Sequence, residues 1–192
     1  MDIREACKRT YFGVVCNGGK RSKSSITTVV VHQTQGPTAE SAARYLHTRA
    51  DGSVHKIVDT YEQYRDAPDN LICCGVAGFN GPALHIEMAG YSTMAWWFPF
   101  NRKRRRMLRR CAWQVAKWLY SHNLPNRYVS TKALRHGERR GWTTHEALTD
   151  ANDAIGVTST HQDPWPFRKK HVPQRYLKRY IGIYLTELRD AG

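Results

Sequence analysis

The 192-residue chain has no run of about 18 apolar residues, the length a helix needs to cross a bilayer, so a membrane-spanning helix is not expected. Its first 25 residues are polar and basic, without the apolar centre of a secretory leader. Synthesis in the cytoplasm is therefore expected, with export by some other route. Acidic residues are scarce: 16 Asp and Glu stand against 30 Lys and Arg, a formal charge of +14. That imbalance favours a polyanionic partner, whether nucleic acid, anionic lipid or a wall polymer, and does not choose among them. The five cysteines, Cys7, Cys16, Cys73, Cys74 and Cys111, are odd in number and irregular in spacing, which argues against a complete disulfide framework and for a reducing birthplace. No CxxC pair is present, so the adjacent Cys73 and Cys74 are expected to be buried and not to bind zinc. There is no HExxH motif and no internal repeat.

What is present is enough to fold. Hydrophobic residues make up 41% of the chain and aromatics 11%, and the length suits one compact unit spanning 1–192. Residues 26–31, Ile-Thr-Thr-Val-Val-Val, form a β-branched run that predicts a buried strand ending at His32. Thr38 is placed to cap a short helix whose Ala39, Ala42, Ala43 and Leu46 share a face. After a turn at Asp51-Gly52, strands are predicted over 53–59 and 83–88. Apolar residues from Met107 to Leu119 recur at helical spacing within 103–122, and Asn123-Leu124-Pro125 ends that helix. The polar stretch from there to Pro166 reads mostly as loop. Pro173 opens a last helix with an apolar stripe from Tyr176 to Leu188, expected to pack on the sheet as core and not to serve as a ligand platform. Strands and helices interleave, which predicts an α/β fold with a central mixed sheet flanked by helices.

The nine histidines raise the question of which could meet around one metal ion. A hydrolytic zinc takes three protein ligands and leaves a position open. His32 at a strand end, His145 in Gly-Trp-Thr-Thr-His, and Asp163 in His161-Gln-Asp-Pro would supply such a set, but residues this far apart make a weak signal by themselves.

The order of the segments strengthens it. Thr27 to His32, Ala50-Asp51-Gly52-Ser53, His85 to Tyr91 with Glu87 in an Ile-Glu context, Gly141 to His145, and Thr160 to Pro164 together resemble the type-2 N-acetylmuramoyl-L-alanine amidase family. The likeness runs from about Ile26 to Phe167 and is greatest to amidase domains of actinobacteriophage endolysins; the wider fold is shared with peptidoglycan recognition proteins. The resemblance implies a Zn2+ enzyme that cuts the amide between N-acetylmuramic acid and L-alanine in peptidoglycan. It implies His32, His145 and Asp163 as metal ligands, with His136 as a fallback for His145. Glu87 and His161 are implied as catalytic residues, the first moving protons and the second holding the oxyanion, while Tyr45 is a further catalytic candidate. This chain has Thr-His-Glu-Ala where relatives often show Gly-His-Asp-Val, and Asp163-Pro164-Trp165 in place of Asp-Pro-Gly. An inactive wall-binding module of the same fold and a basic nucleic-acid binder are the alternative functions.

Residues 101–110 hold seven Lys or Arg beside Trp96, Trp97, Phe98 and Phe100. Cations next to aromatics suit an anionic, partly apolar surface. Arg102, Lys103, Arg104, Arg105 and Arg106 are thus candidate contacts to anionic wall polymers, with a solvated helix face as the equally weighted alternative. A monomer acting at the bacterial wall is the expected form.

Overall fold

β-branched density makes the strand Thr28–Gln33 (β3) an interior strand of the sheet, with all six of its residues buried. The structure, a computed structural model, describes residues 9–10, 17–49, 51–93, 101–163 and 172–192. Expectations attached to Cys7, Cys16, the aromatics Trp96 to Phe100, Pro164 and Trp165 lie outside those residues. Among the described residues β3 is flanked by two parallel neighbours, Ala83–Met88 (β7) and Gly141–Thr144 (β8). Beyond β7 come Lys56–Val58 (β4, parallel to β7), Gln63–Arg65 (β5, antiparallel to β4) and Arg9–Thr10 (β1, parallel to β5). Asn17–Lys20 (β2) and Leu71–Cys73 (β6) form a separate antiparallel ribbon.

Strand alternation divides the chemistry between the two faces. Val29 and Val31 of β3, with Leu84, Ile86 and Met88 of β7, join one apolar core with helices Arg102–Ser121 (α2) and Val172–Asp190 (α5). The other face begins with Val30 and Ala83, packed on Leu134 of helix Thr131–Arg135 (α3) and on Ala147 and Leu148 of helix His145–Ala151 (α4). Toward the C-terminal ends of β3 and β7 this face turns polar, carrying His32, His85 and Glu87. Helix Ala39–His47 (α1) covers its flank, burying Ala39, Ala42 and Ala43, and Thr38 closes a capping box with Ser41 as its side chains predict.

Two expectations need correction. The stretch after Pro125 is not mostly loop: it contains α3, β8 and α4, each short, with β8 passing directly into α4 so that no turn residue marks the boundary. The last helix packs chiefly on α2, through Tyr184, Leu185, Leu177 and Ile181, and reaches the sheet through that shared core. Cys73 and Cys111 are free and buried, as expected, whereas Cys74 is disulfide-bonded.

Candidate metal centre and active-site groove

The parallel register pairs His32 with Glu87 across β3 and β7, so both side chains leave the same face of the sheet one strand spacing apart. β8 ends beside them, and Thr144, whose side chain accepts the N–H of Ala147, turns the chain so that His145 opens α4 at that end. The loop carrying Asp163 is tied in from two sides. The Glu146 N–H donates to the Asp163 carbonyl at 2.7 Å, and the Gln33 N–H donates to Asp163 Oδ1 at 2.9 Å.

Three ligand atoms converge as a result. His32 Nδ1 lies 3.0 Å from His145 Nδ1 and 3.9 Å from Asp163 Oδ1, and His145 Nδ1 lies 3.2 Å from Asp163 Oδ2. All three residues are buried. Ligands at about 2.05 Å from a tetrahedral zinc stand about 3.3 Å from one another, so two nitrogens and a carboxylate oxygen at these separations fit the ion in both chemistry and spacing. Among the described residues this is the one His, Cys, Asp and Glu group able to hold a metal.

The distal nitrogens are also occupied. His145 Nε2 meets Ser159 Oγ at 2.7 Å, and His32 Nε2 meets His85 Nδ1 at 3.0 Å. Burial, reinforced by the neighbouring His145, pushes the His32 pKa well below the usual histidine value, which favours the neutral, ligating imidazole. Burial also works to raise the Asp163 pKa, but the hydrogen bond with His145 and the proximity of the His145 and His32 rings outweigh it and hold the carboxyl below its ordinary range. Glu87 is the opposite case: burial first, and the Asp163 charge second, push its carboxyl well above the ordinary range. Its Oε2 is buried and has no hydrogen-bond partner among the described residues. Two acids on one site are thus driven apart in pKa, the pattern expected when one holds charge and the other moves a proton.

A groove of about 570 Å³ opens over this cluster, lined by His32, Glu87, His145, Asp163 and, on its walls, His161 and Tyr45. His161 is exposed, its ring 5.2 Å from that of His145. Tyr45 stands at the rim, 58% exposed, with the Arg49 guanidinium 5.4 Å from its ring centre and donating to its hydroxyl. Six of the sequence candidates therefore share one groove. His136 does not: it is exposed at the C-cap of α3. The basic residues 102–106 begin α2, on the layer across the sheet from the groove. Sequence reasoning overlooked His85, although its place two residues before Glu87 on a strand puts it on the same face. It also overlooked His55 and Ser159, for which position along the chain gives no comparable cue.

An α/β sheet with a His-His-Asp cluster able to hold a metal ion and a buried Glu at its strand ends, open to a groove, has the layout of a hydrolase. The sequence model of the N-acetylmuramoyl-L-alanine amidase family matches residues 22–166, and the chain belongs to that family. Its reaction is hydrolysis of the amide between N-acetylmuramic acid and L-alanine in peptidoglycan. No curated protein matches it significantly by sequence. Solved structures similar in fold include the Staphylococcus aureus hydrolase AmiA in complex with its ligand, at 18% identity and a TM-score of 0.63 over 96% of this chain and 87% of that one. The endolysin of a Thermus scotoductus bacteriophage matches at 16% identity and a TM-score of 0.54, over 84% and 88%. The endolysin amidase LysCS from Clostridium intestinale matches at 11% and 0.53, over 92% and 97%. At such identities the likeness is one of fold. No helix among the described residues is long and apolar enough to cross a membrane.

Proposed function

We propose that this amidase is a zinc enzyme whose ion is held by His32, His145 and Asp163, with Glu87 and His161 as its catalytic side chains. The observation that carries the reading is the convergence of two imidazole nitrogens and a carboxylate oxygen within 3.0–3.9 Å beside the buried carboxyl of Glu87. When bound there, zinc would supply Lewis acidity, polarising an amide carbonyl and bringing water ionisation to near neutral pH. Glu87 takes the proton of the attacking water and hands it to the departing amine of L-alanine, and its unpartnered oxygen leaves room for that traffic. His161 donates to the carbonyl oxygen as charge builds on it. Tyr45 at the groove rim contacts the substrate, with Arg49 bracing its ring.

The fold neighbours that are endolysins support a role in host lysis, with synthesis in the host cytoplasm and action at the bacterial wall. The first turn of α2 supports attachment to anionic wall polymers. It holds no acidic residue and starts with Arg102 and Lys103, both exposed. Cations at a helix N-terminus oppose its dipole, and a polyanion would relieve that repulsion.

Mass spectrometry of peptidoglycan digested by the protein, with chelator and with zinc restored, tests the reading. Stem peptides with a free L-alanine amino terminus, lost on chelation and recovered with zinc, are expected. Muropeptides bound but uncut would instead make the chain an inactive wall-binding module.

A further inference from the structure

Behind the ligand His32 stands a second buried histidine with no part in the reaction just described. His85 is fully buried, its ring 5.2 Å from that of His32, with Nδ1 3.0 Å from His32 Nε2. Its other nitrogen, Nε2, has no hydrogen-bond partner among the described residues, so the contact to His32 is the ring's one polar engagement there.

The ring is held in that pose from several directions. The His55 ring stacks on it at 5.8 Å and 19°. The His85 N–H donates to His55 Nδ1 and the His55 N–H to the His85 carbonyl, each at 3.0 Å. His55 Nδ1 accepts the His85 N–H, and its Nε2 lies 3.0 Å from the Leu71 carbonyl and 2.8 Å from Arg21 Nη2. Arg21 locks the start of β7 through the Ala83 carbonyl at 2.7 Å and the Gly81 carbonyl at 2.9 Å. On the remaining side Gly75 passes so close that a Cβ there would sit 2.5 Å from His85 Nδ1. Any other residue at 75 would take the space the ring occupies.

We propose that His85 is a positioning residue for the metal: its Nδ1 accepts the Nε2–H of His32 and thereby leaves His32 Nδ1 bare and aimed at His145 and Asp163. The proton inventory of the two rings requires this assignment. A neutral imidazole carries one N–H, and a ligand nitrogen must carry none. With His32 bound through Nδ1 its proton sits on Nε2, 3.0 Å from His85, and only a bare His85 Nδ1 accepts it. The reverse arrangement, His85 Nδ1–H donating to His32 Nε2, would put the His32 proton on Nδ1 and block ligation. Ser159 is placed against His145 Nε2 in the corresponding position. Such outer partners fix ligand tautomer and orientation, and removing one typically costs about 10- to 100-fold in metal affinity.

The inference rests on the zinc reading above, and the test separates the two. Zinc affinity is measured by chelator competition for the native protein, His85→Leu and His85→Asn, with thermal melting of each zinc-free protein as the folding control. The expected result is a roughly 10- to 100-fold weaker zinc affinity for the Leu variant, and recovery toward the native value in the Asn variant, whose Oδ1 offers an acceptor near the place of Nδ1. Nitrogen-edited NMR of the zinc-loaded native protein should show the His32 Nε2–H protected from exchange, a reading that stands even if the Leu variant does not fold. Native-like zinc affinity in a folded His85→Leu protein, or a freely exchanging His32 Nε2–H, would overturn the role of His85. Absence of zinc binding by the native protein would overturn the metal reading itself.

Discussion

The two faces of the central sheet are built from the same two strands and do opposite work. Toward α2 and α5, Val29, Val31, Leu84, Ile86 and Met88 bury apolar surface that stabilises the fold. Toward the groove, His32, His85 and Glu87 occupy the alternate positions, and their burial is a cost to be offset. One face is optimised for stability and the other for chemistry. Substitutions should therefore separate the two properties: changes on the groove side should abolish turnover with little loss of stability, and changes on the helix side should do the reverse.

The largest effects are expected on the groove side. His32→Ala should lose zinc and activity together, as seen by metal analysis and by release of stem peptides. Glu87→Gln should retain zinc and lose about 10²–10⁴ in rate. His161→Ala should also retain zinc and lose about 10²–10³. The Gln variant carries a second signature. Because the Glu87 pKa is raised in the folded state, its contribution to stability is present below its unfolded value and is lost as pH rises through the folded one. The zinc-free Gln variant should thus melt no lower than the native protein at pH 8, and a clear drop would mean that Glu87 belongs to the structural side of the comparison.

On the helix side, Leu108→Ala removes a fully buried side chain from the core shared by α2, α5 and the sheet. A loss of about 2–5 kcal/mol is expected in denaturant melts. Well below its melting temperature the variant should cleave peptidoglycan at the native rate. A fall in rate with zinc still bound would show that the faces are mechanically coupled.

The same contrast explains how far the sequence could be read. The helix-facing residues announce themselves: α2 and α5 by helical spacing of apolar residues, β3 by its β-branched run, β7 by its length between turns. On the groove side periodicity fails, because buried His, Glu and Thr do not look like core. β8 is only Gly-Trp-Thr-Thr, and its Thr144 both ends the strand and caps α4, so the pattern resembled a polar loop. His145 and Asp163 became legible through the order of family motifs, not through spacing. His85 was readable by strand parity with Glu87. Cys74 was not, since adjacent cysteines have no spacing that marks one as bonded and the other as free.

A smaller effect should appear at Asp66, buried beside Val54, where burial raises its pKa to about 6. An unfolded Asp titrates near 3.8, so the folded state holds the extra proton between these values. Its share of stability is complete below 3.8 and lost as pH climbs through about 6. Asp66→Asn should therefore stabilise the protein at pH 8 by on the order of 2 kcal/mol and change little at pH 3.5. Equal melting shifts at both pH values would show that the carboxyl is not paying for its burial.

The smallest effect tests whether the apolar layer has a function on its outer surface. Arg105 and Arg109 already stack on Tyr176 and Tyr180, 5.9 Å and 5.6 Å from the ring centres, so they are poor probes of wall attachment. Arg102 and Lys103 are better ones, exposed at the unfavourable end of the α2 dipole. Replacing both with Gln should raise stability slightly, by about 0.3–1 kcal/mol for each charge removed. The same change should weaken cosedimentation with intact walls at low salt. The binding difference should disappear near 1 M salt, where the screening length falls to about 3 Å. Opposite signs for stability and binding are what a surface kept for a polyanion requires; a variant that is more stable and binds walls equally well at low salt would reduce the basic turn to a solvated helix end.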